Sequence, residues 1–153
     1  MATAFIGFGS NLGNRRDFII RAEKLLEDSG LLSVAGRSSI DETDPVEVVD
    51  QPRFMNRVVS AATKLSPLEL LDLLLETENT LGRVRSVPRG PRTIDCDLLL
   101  YDDIVMQSSR LVLPHPGIIR RVFLLKQILE IDPDATDPVS GRRYAEIAAS
   151  VQG

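Results

Sequence analysis

The chain has 153 residues, 43% hydrophobic and 26% charged, a balance that fits one globular domain over 1–153 and excludes a disordered chain. One cysteine excludes an internal disulfide, and no apolar run nears the roughly 20 residues that span a bilayer. The start MATAFIGFGSNLG lacks the basic residues of a signal peptide, so a cytoplasmic protein without membrane contact is expected. Ala4 to Phe8 is short and apolar and meets Gly9-Ser10-Asn11, which predicts a strand entering a turn. Phe18, Ile19, Ala22, Leu25 and Leu26 recur at helical spacing, with Gly30 as the stop. Leu31 to Ile40 reads as a strand. Asp41 to Arg53, acidic and holding two prolines, reads as a loop, and Phe54 to Leu65 as a strand with room for a bulge. Ser66-Pro67-Leu68-Glu69 supplies an N-cap, a proline at the first helical position and a capping-box glutamate. Leu70, Leu71, Leu74, Leu75 and Glu78 follow at helical spacing before Gly82. Thr93 to Tyr101 is a further strand, Pro116 to Glu130 one helix and Arg143 to Val151 a short last helix. The order βαββαβα, with adjacent strands, predicts an α+β sandwich rather than an alternating parallel sheet.

The net charge of −4 argues against a nucleic-acid partner. Yet Arg83, Arg85, Arg89 and Arg92 fall within ten residues free of acidic side chains. Guanidinium groups give fixed paired donors to phosphate oxygens, so this segment reads either as a polyphosphate clamp or as a solvated basic turn. The next strand decides between them. In Thr93-Ile94-Asp95-Cys96-Asp97-Leu98-Leu99-Leu100, alternation puts Ile94, Cys96, Leu98 and Leu100 on one apolar face. Asp95 and Asp97 share the other face, with Cα atoms roughly 6.6 Å apart. Two carboxylates on one strand face repel unless a cation lies between them, and Mg²⁺ suits one or two carboxylates plus phosphate oxygens and waters. The other reading is a pair of solvated side chains, but aspartate is disfavoured in strand centres.

His115, the single histidine, sits between two prolines and reads as structural or as a phosphate donor. Cys96 reads as a small core residue. Phe54 and Phe123 read as core aromatics, and Asn56 shares the strand face of Phe54. Gly7-Phe8-Gly9-Ser10-Asn11-Leu12-Gly13 looks like a strand-to-helix glycine loop, but it is neither a Walker A loop nor the usual dinucleotide fingerprint.

Together these segments resemble the 6-hydroxymethyl-7,8-dihydropterin pyrophosphokinase family of folate biosynthesis. The resemblance rests on Gly7 to Gly13, on Gly90-Pro91-Arg92-Thr93-Ile94-Asp95-Cys96-Asp97, and on Pro114-His115-Pro116 with Arg121-Val122-Phe123-Leu124. It continues into Glu130-Ile131-Asp132-Pro133. It implies a ferredoxin-like α+β sandwich of a mainly antiparallel sheet with packed helices. The implied reaction moves the diphosphate of ATP to the pterin hydroxymethyl group and releases AMP. Asp95 and Asp97 would hold two Mg²⁺ ions, and Arg83 and Arg92 would assist transfer. Arg85, Arg89, Arg92, Arg110, His115 and Arg121 would hold ATP. Phe54 and Phe123 would sandwich the pterin, whose edge Thr43, Val46 and Asn56 would read, with backbone near Asp44. A monomer acting on small molecules is implied.

The chain departs from the family at three places. The arginine segment is one residue short, without the usual aromatic before Gly90. Leu75 stands where a glutamine is common, and Lys126 stands where a proline is common. A nucleotide- or pterin-binding module without turnover would account for the shortened segment and Leu75, and a surface that docks an acidic partner would account for the arginines. Neither would release AMP, and the docking surface would show no Mg²⁺-dependent ATP binding.

Overall fold

Alternation along the first strand sends Ala4, Ile6 and Phe8 to one face and Phe5 to the other, and the two faces become two separate cores. The structure is a computed structural model that describes residues 1–45, 50–83 and 92–152. Its central strand, β1 (Ala2–Ser10), pairs antiparallel with two neighbours. The connecting helix α1 (Arg15–Asp28) leads to β2 (Leu32–Arg37), then β3 (Asp41–Thr43) and β4 (Phe54–Thr63). Helix α2 (Pro67–Thr80) precedes β5 (Asp95–Tyr101). The strand order is β2-β4-β1-β5, with β3 on the first residues of β4. Every pairing is antiparallel. This is the expected α+β sandwich with a split βαβ arrangement.

Helices α1 and α2 cover one face. Ile19, Ala22 and Leu26 of α1 and Leu70 and Leu74 of α2 pack against Ile6, Phe8, Val59, Cys96 and Leu98. The start of α2 forms as its sequence predicts. The Ser66 hydroxyl accepts from the Glu69 N–H at 3.2 Å, and the Glu69 carboxylate accepts from the Ser66 N–H at 2.9 Å. Such a cap is worth about 1 kcal/mol. Gly82 follows the helix at φ +80. The other face is covered by α3 (Gly117–Arg120), α4 (Val122–Ile131) and α5 (Tyr144–Gln152). There Ile118, Leu124, Leu125, Ile128, Tyr144 and Ile147 meet Phe5, Val58, Leu99 and Leu100.

Four expectations are corrected. Gly7 and Gly9 are not in a loop but inside β1, because β4 and β5 pair with it as far as Gly9. The acidic segment after residue 40 contains β3, held by register pairs from Asp41↔Asn56 to Thr43↔Phe54. The single helix expected over 116–130 is two, because Arg121 has extended backbone (φ −121, ψ 100) between α3 and α4. In β5 the register shifts so that Phe5 faces Leu100 while Ile6 faces Leu98. Leu99 is the extra residue of this bulge. Leu100 therefore leaves the face of Cys96 and Leu98 and packs under α4. A small hairpin, β6 (Met106–Gln107) with β7 (Val112–Leu113), lies between β5 and α3.

Candidate active site

The register of three strands builds the floor of a pocket on the α4 side. Gly9 of β1 faces Asn56 of β4 on one side and Asp95 of β5 on the other. One row further, Gly7 lies between Val58 and Asp97. The glycines carry no side chains, so the row between Asn56 and Asp95 stays open. A Cβ on Gly9 would lie 3.0 Å from the Asn56 Oδ1 and 3.6 Å from the Phe54 ring. The pocket measures about 630 Å³ counting its mouth, and Thr43, Asp44, Phe54, Asn56, Arg121 and Phe123 line it beside Arg92, Asp95 and Asp97. These nine of the expected site residues are thus brought together. The Asn56 amide donates to the Thr43 hydroxyl across the β3–β4 pair, which aligns both polar groups on one wall. Val46, Arg85 and Arg89 lie outside the described residues.

Charge is concentrated at the start of β5. The Arg83 Nη1 lies 2.6 Å from Asp95 and 2.9 Å from Glu78. The Arg92 Nε is 3.5 Å from Asp95, and its guanidinium carbon sits 4.6 Å from the centroid of Phe54. Burial works against the charge of Arg83, but Asp95 and Glu78 outweigh it and raise its pKa. For Arg92 burial wins and lowers the pKa. Asp97 has a different balance. Burial, then Asp95 and Glu78, push its carboxyl up to about 8 against the pull of Arg121 and Arg83. A cation beside Asp97 would offset this repulsion and favour the ionised carboxylate. Among the described residues no group of three or more His, Cys, Asp or Glu forms a metal cage. A two-carboxylate site fits Mg²⁺, which completes its six oxygens from phosphates and waters. Cys96, buried on the opposite face, has its thiol pushed well above the ordinary range by burial. It is the core residue expected from alternation.

Arg110 and His115 lie elsewhere, in a second pocket that shares one wall residue with the first. That residue is Asp97. Leu71 of α2, Leu98 of β5 and Leu111 give this second pocket apolar walls. Arg110 at its edge is half-exposed and pairs with Asp72 of α2. The His115 ring accepts the Gly117 N–H on Nδ1 at 2.9 Å. Burial, followed by the Arg121 charge, lowers its pKa.

Three positioning residues escaped the sequence reading. Asn11 is 2% exposed and joins three segments. Its Oδ1 accepts from the Arg92 N–H at 2.8 Å, its N–H donates to the Arg92 carbonyl at 3.1 Å, and its Nδ2 donates to Gln51 and Pro52. Glu78 also accepts from the Cys96 N–H at 2.7 Å, so it fixes β5 and Arg83 together. A carboxylate on the apolar stripe of α2 was the available signal. Gln127 of α4, fully buried, donates to the Asn56 carbonyl at 3.0 Å and to Asp41 at 3.1 Å. No spacing rule marks it.

Comparison with known proteins places these residues in context. The family described as 7,8-dihydro-6-hydroxymethylpterin-pyrophosphokinase (HPPK) matches residues 5–133. A Bacillus subtilis 2-amino-4-hydroxy-6-hydroxymethyldihydropteridine pyrophosphokinase is 43% identical over 128 residues, which cover 84% of this chain and 77% of the relative. The Aquifex aeolicus protein of that name is 37% identical over 139 residues, 91% of this chain and 86% of the relative. A bifunctional protein FolKE of Lactococcus lactis is 42% identical over 154 residues, with 99% of this chain matching only 44% of the relative. A solved Plasmodium falciparum HPPK-DHPS bound to pteroate has the same fold at a TM-score of 0.77 and 14% identity, covering 98% of this chain and 42% of that one.

Proposed function

The chain belongs to the 7,8-dihydro-6-hydroxymethylpterin-pyrophosphokinase family, and we propose that its two pockets carry out diphosphate transfer from ATP to 6-hydroxymethyl-7,8-dihydropterin at their shared wall. The observation that carries this reading is the position of Asp97, which borders both pockets while Asp95 beside it is clamped by Arg83 and Arg92. The flat pterin fits between Phe54 and Phe123 on the glycine floor, with Asn56, Thr43 and the Asp44 segment at its edge. Adenosine fits the apolar second pocket, with His115 and Arg110 as donors. The triphosphate then crosses Asp97. The pterin hydroxyl oxygen bonds to the β-phosphorus, the bond from that phosphorus to the α–β bridging oxygen breaks, and AMP leaves with that oxygen. The hydroxyl proton goes to solvent. Catalysis is positioning and charge neutralisation.

Asp95 and Asp97 are the residues that would hold Mg²⁺, two ions by the family resemblance, and the metal would supply neutralisation of the phosphate oxygens. Arg83 and Arg92 start on Asp95 and are close enough to follow charge that builds on the transferred group. Arg121, at the break between α3 and α4, lines the same pocket. We extend the nucleotide reading to Arg85 and Arg89 and the pterin reading to Val46 on the family resemblance alone.

Incubation with ATP, Mg²⁺ and the hydroxymethyl pterin should release AMP in proportion to pterin. Folded protein that releases no AMP above a control without pterin would sink the reading. Asp97→Ala should lower turnover by about 10²-fold or more while pterin still binds. Unchanged turnover would remove Asp97 from the site.

A further inference from the structure

We propose that His115 meets the nucleotide as a neutral imidazole with its proton fixed on Nε2, and that Gly117 is the residue that fixes it. The inference rests on the reading of the second pocket as the nucleotide site. The imidazole Nδ1 accepts the Gly117 N–H at 2.9 Å. A ring nitrogen that accepts a hydrogen bond carries no proton, so the neutral ring carries its proton on Nε2. The His115 backbone is anchored as well, because its N–H donates to the Leu99 carbonyl at the β5 bulge at 2.9 Å.

Gly117 leaves room for this arrangement. A Cβ at that position would stand 2.9 Å from the His115 Nδ1, 3.0 Å from its Cε1 and 3.3 Å from the Arg121 guanidinium carbon. Any larger residue must therefore push the ring, the arginine or both. The arrangement also has an electrostatic logic. Arg110 lines the same pocket and Arg121 abuts Gly117, so positive charge for a polyphosphate is already present. A third cation would repel them, whereas a neutral N–H adds direction without charge. Protonation of Nδ1 would also set two donors against each other at Gly117. Burial and Arg121 oppose the imidazolium, with Asp95 acting the other way.

The chain holds a single histidine, so ¹⁵N-histidine labelling gives one imidazole to read. In a long-range ¹H–¹⁵N spectrum at about pH 7.5, the folded protein should show an unprotonated Nδ1 and a protonated Nε2. Both should persist after addition of a non-hydrolysable MgATP analogue. A protonated Nδ1, or two averaged nitrogens, overturns the proposal whether or not the protein makes AMP. Gly117→Ala should average the two nitrogens and weaken analogue binding by about tenfold to a hundredfold. A wild-type spectrum and affinity in that variant would remove Gly117 from the role. If that variant does not fold, His115→Gln and His115→Asn replace it. Gln puts a neutral donor near the Nε2 position and should keep more analogue affinity than Asn, and equal losses would count against the fixed Nε2 proton.

Discussion

Asn11 shows how much one short polar side chain can organise. With its own N–H it uses three donors and one acceptor to tie the end of β1 to Arg92 and to the Gln51–Pro52 segment. One of those segments lines the pocket proposed for the pterin and the other carries the arginine stacked over Phe54. Asn11→Ala should therefore act twice. It leaves the Arg92 N–H without its side-chain acceptor, at a cost of about 1–3 kcal/mol in urea denaturation. It should also weaken pterin binding by about tenfold or more, while MgATP-analogue affinity moves far less. Equal loss of both ligands would mean that the residue supports the fold in general and not this junction. The sequence placed Asn11 in a turn, which local pattern can do. Its partners lie 40 or more positions away in the chain, so only the closed sheet brings them within reach.

The elements differ in how far they could be read in advance. The capping box of α2 is a local motif, and the Asp95–Asp97 and Phe54–Asn56 pairs are local features that alternation found. The β5 bulge, the break at Arg121 and strand β3 were hidden because each depends on a neighbour. Asp41–Thr43 has poor strand propensity and becomes β3 only because β4 offers a free edge there. Leu99 bulges only against β1. The glycines of β1 were legible as flexible residues but not as a floor, since that role comes from Asn56 and Asp95 flanking Gly9. Gly9→Ala tests the floor directly. Its Cβ would crowd the Asn56 side-chain Oδ1 at 3.0 Å, so pterin affinity should fall about tenfold or more by calorimetry. ATP-analogue affinity should hold, and an unchanged pterin affinity would show that the strand has room to shift.

At the scale of the molecule, two cores hold the sheet from both faces, and the acidic groups Glu78, Asp95 and Asp97 gather at its end. The net charge of −4 hid this arrangement, because a total cannot show that arginines and carboxylates are interleaved at one site. The consequence is a stability that depends on pH in an unusual direction. Asp97 is raised from 3.8 to about 8, so the folded protein keeps a proton that the unfolded chain releases. The stabilisation linked to that proton is complete below pH 3.8 and is lost as pH rises towards 8. Glu69 is shifted the other way, lowered from 4.5 by its bonds to Ser66, so its contribution fades only below that value. Between about pH 5 and 8 the Asp97 effect stands clear of Glu69, but His115 opposes it, because a histidine whose pKa is lowered from 6.5 adds stability as pH rises. The difference between wild type and an Asp97 variant therefore isolates the Asp97 part. In a chelator, wild-type Tm should fall relative to that of Asp97→Asn as pH rises across this range, because the amide has no proton to lose. Mg²⁺ should raise the wild-type Tm more at pH 8 than at pH 5, since it binds the ionised carboxylate that the apo protein disfavours. A Tm that rises with pH equally in both proteins would show that Asp97 is ionised without a metal, and would remove the charge imbalance that calls for one.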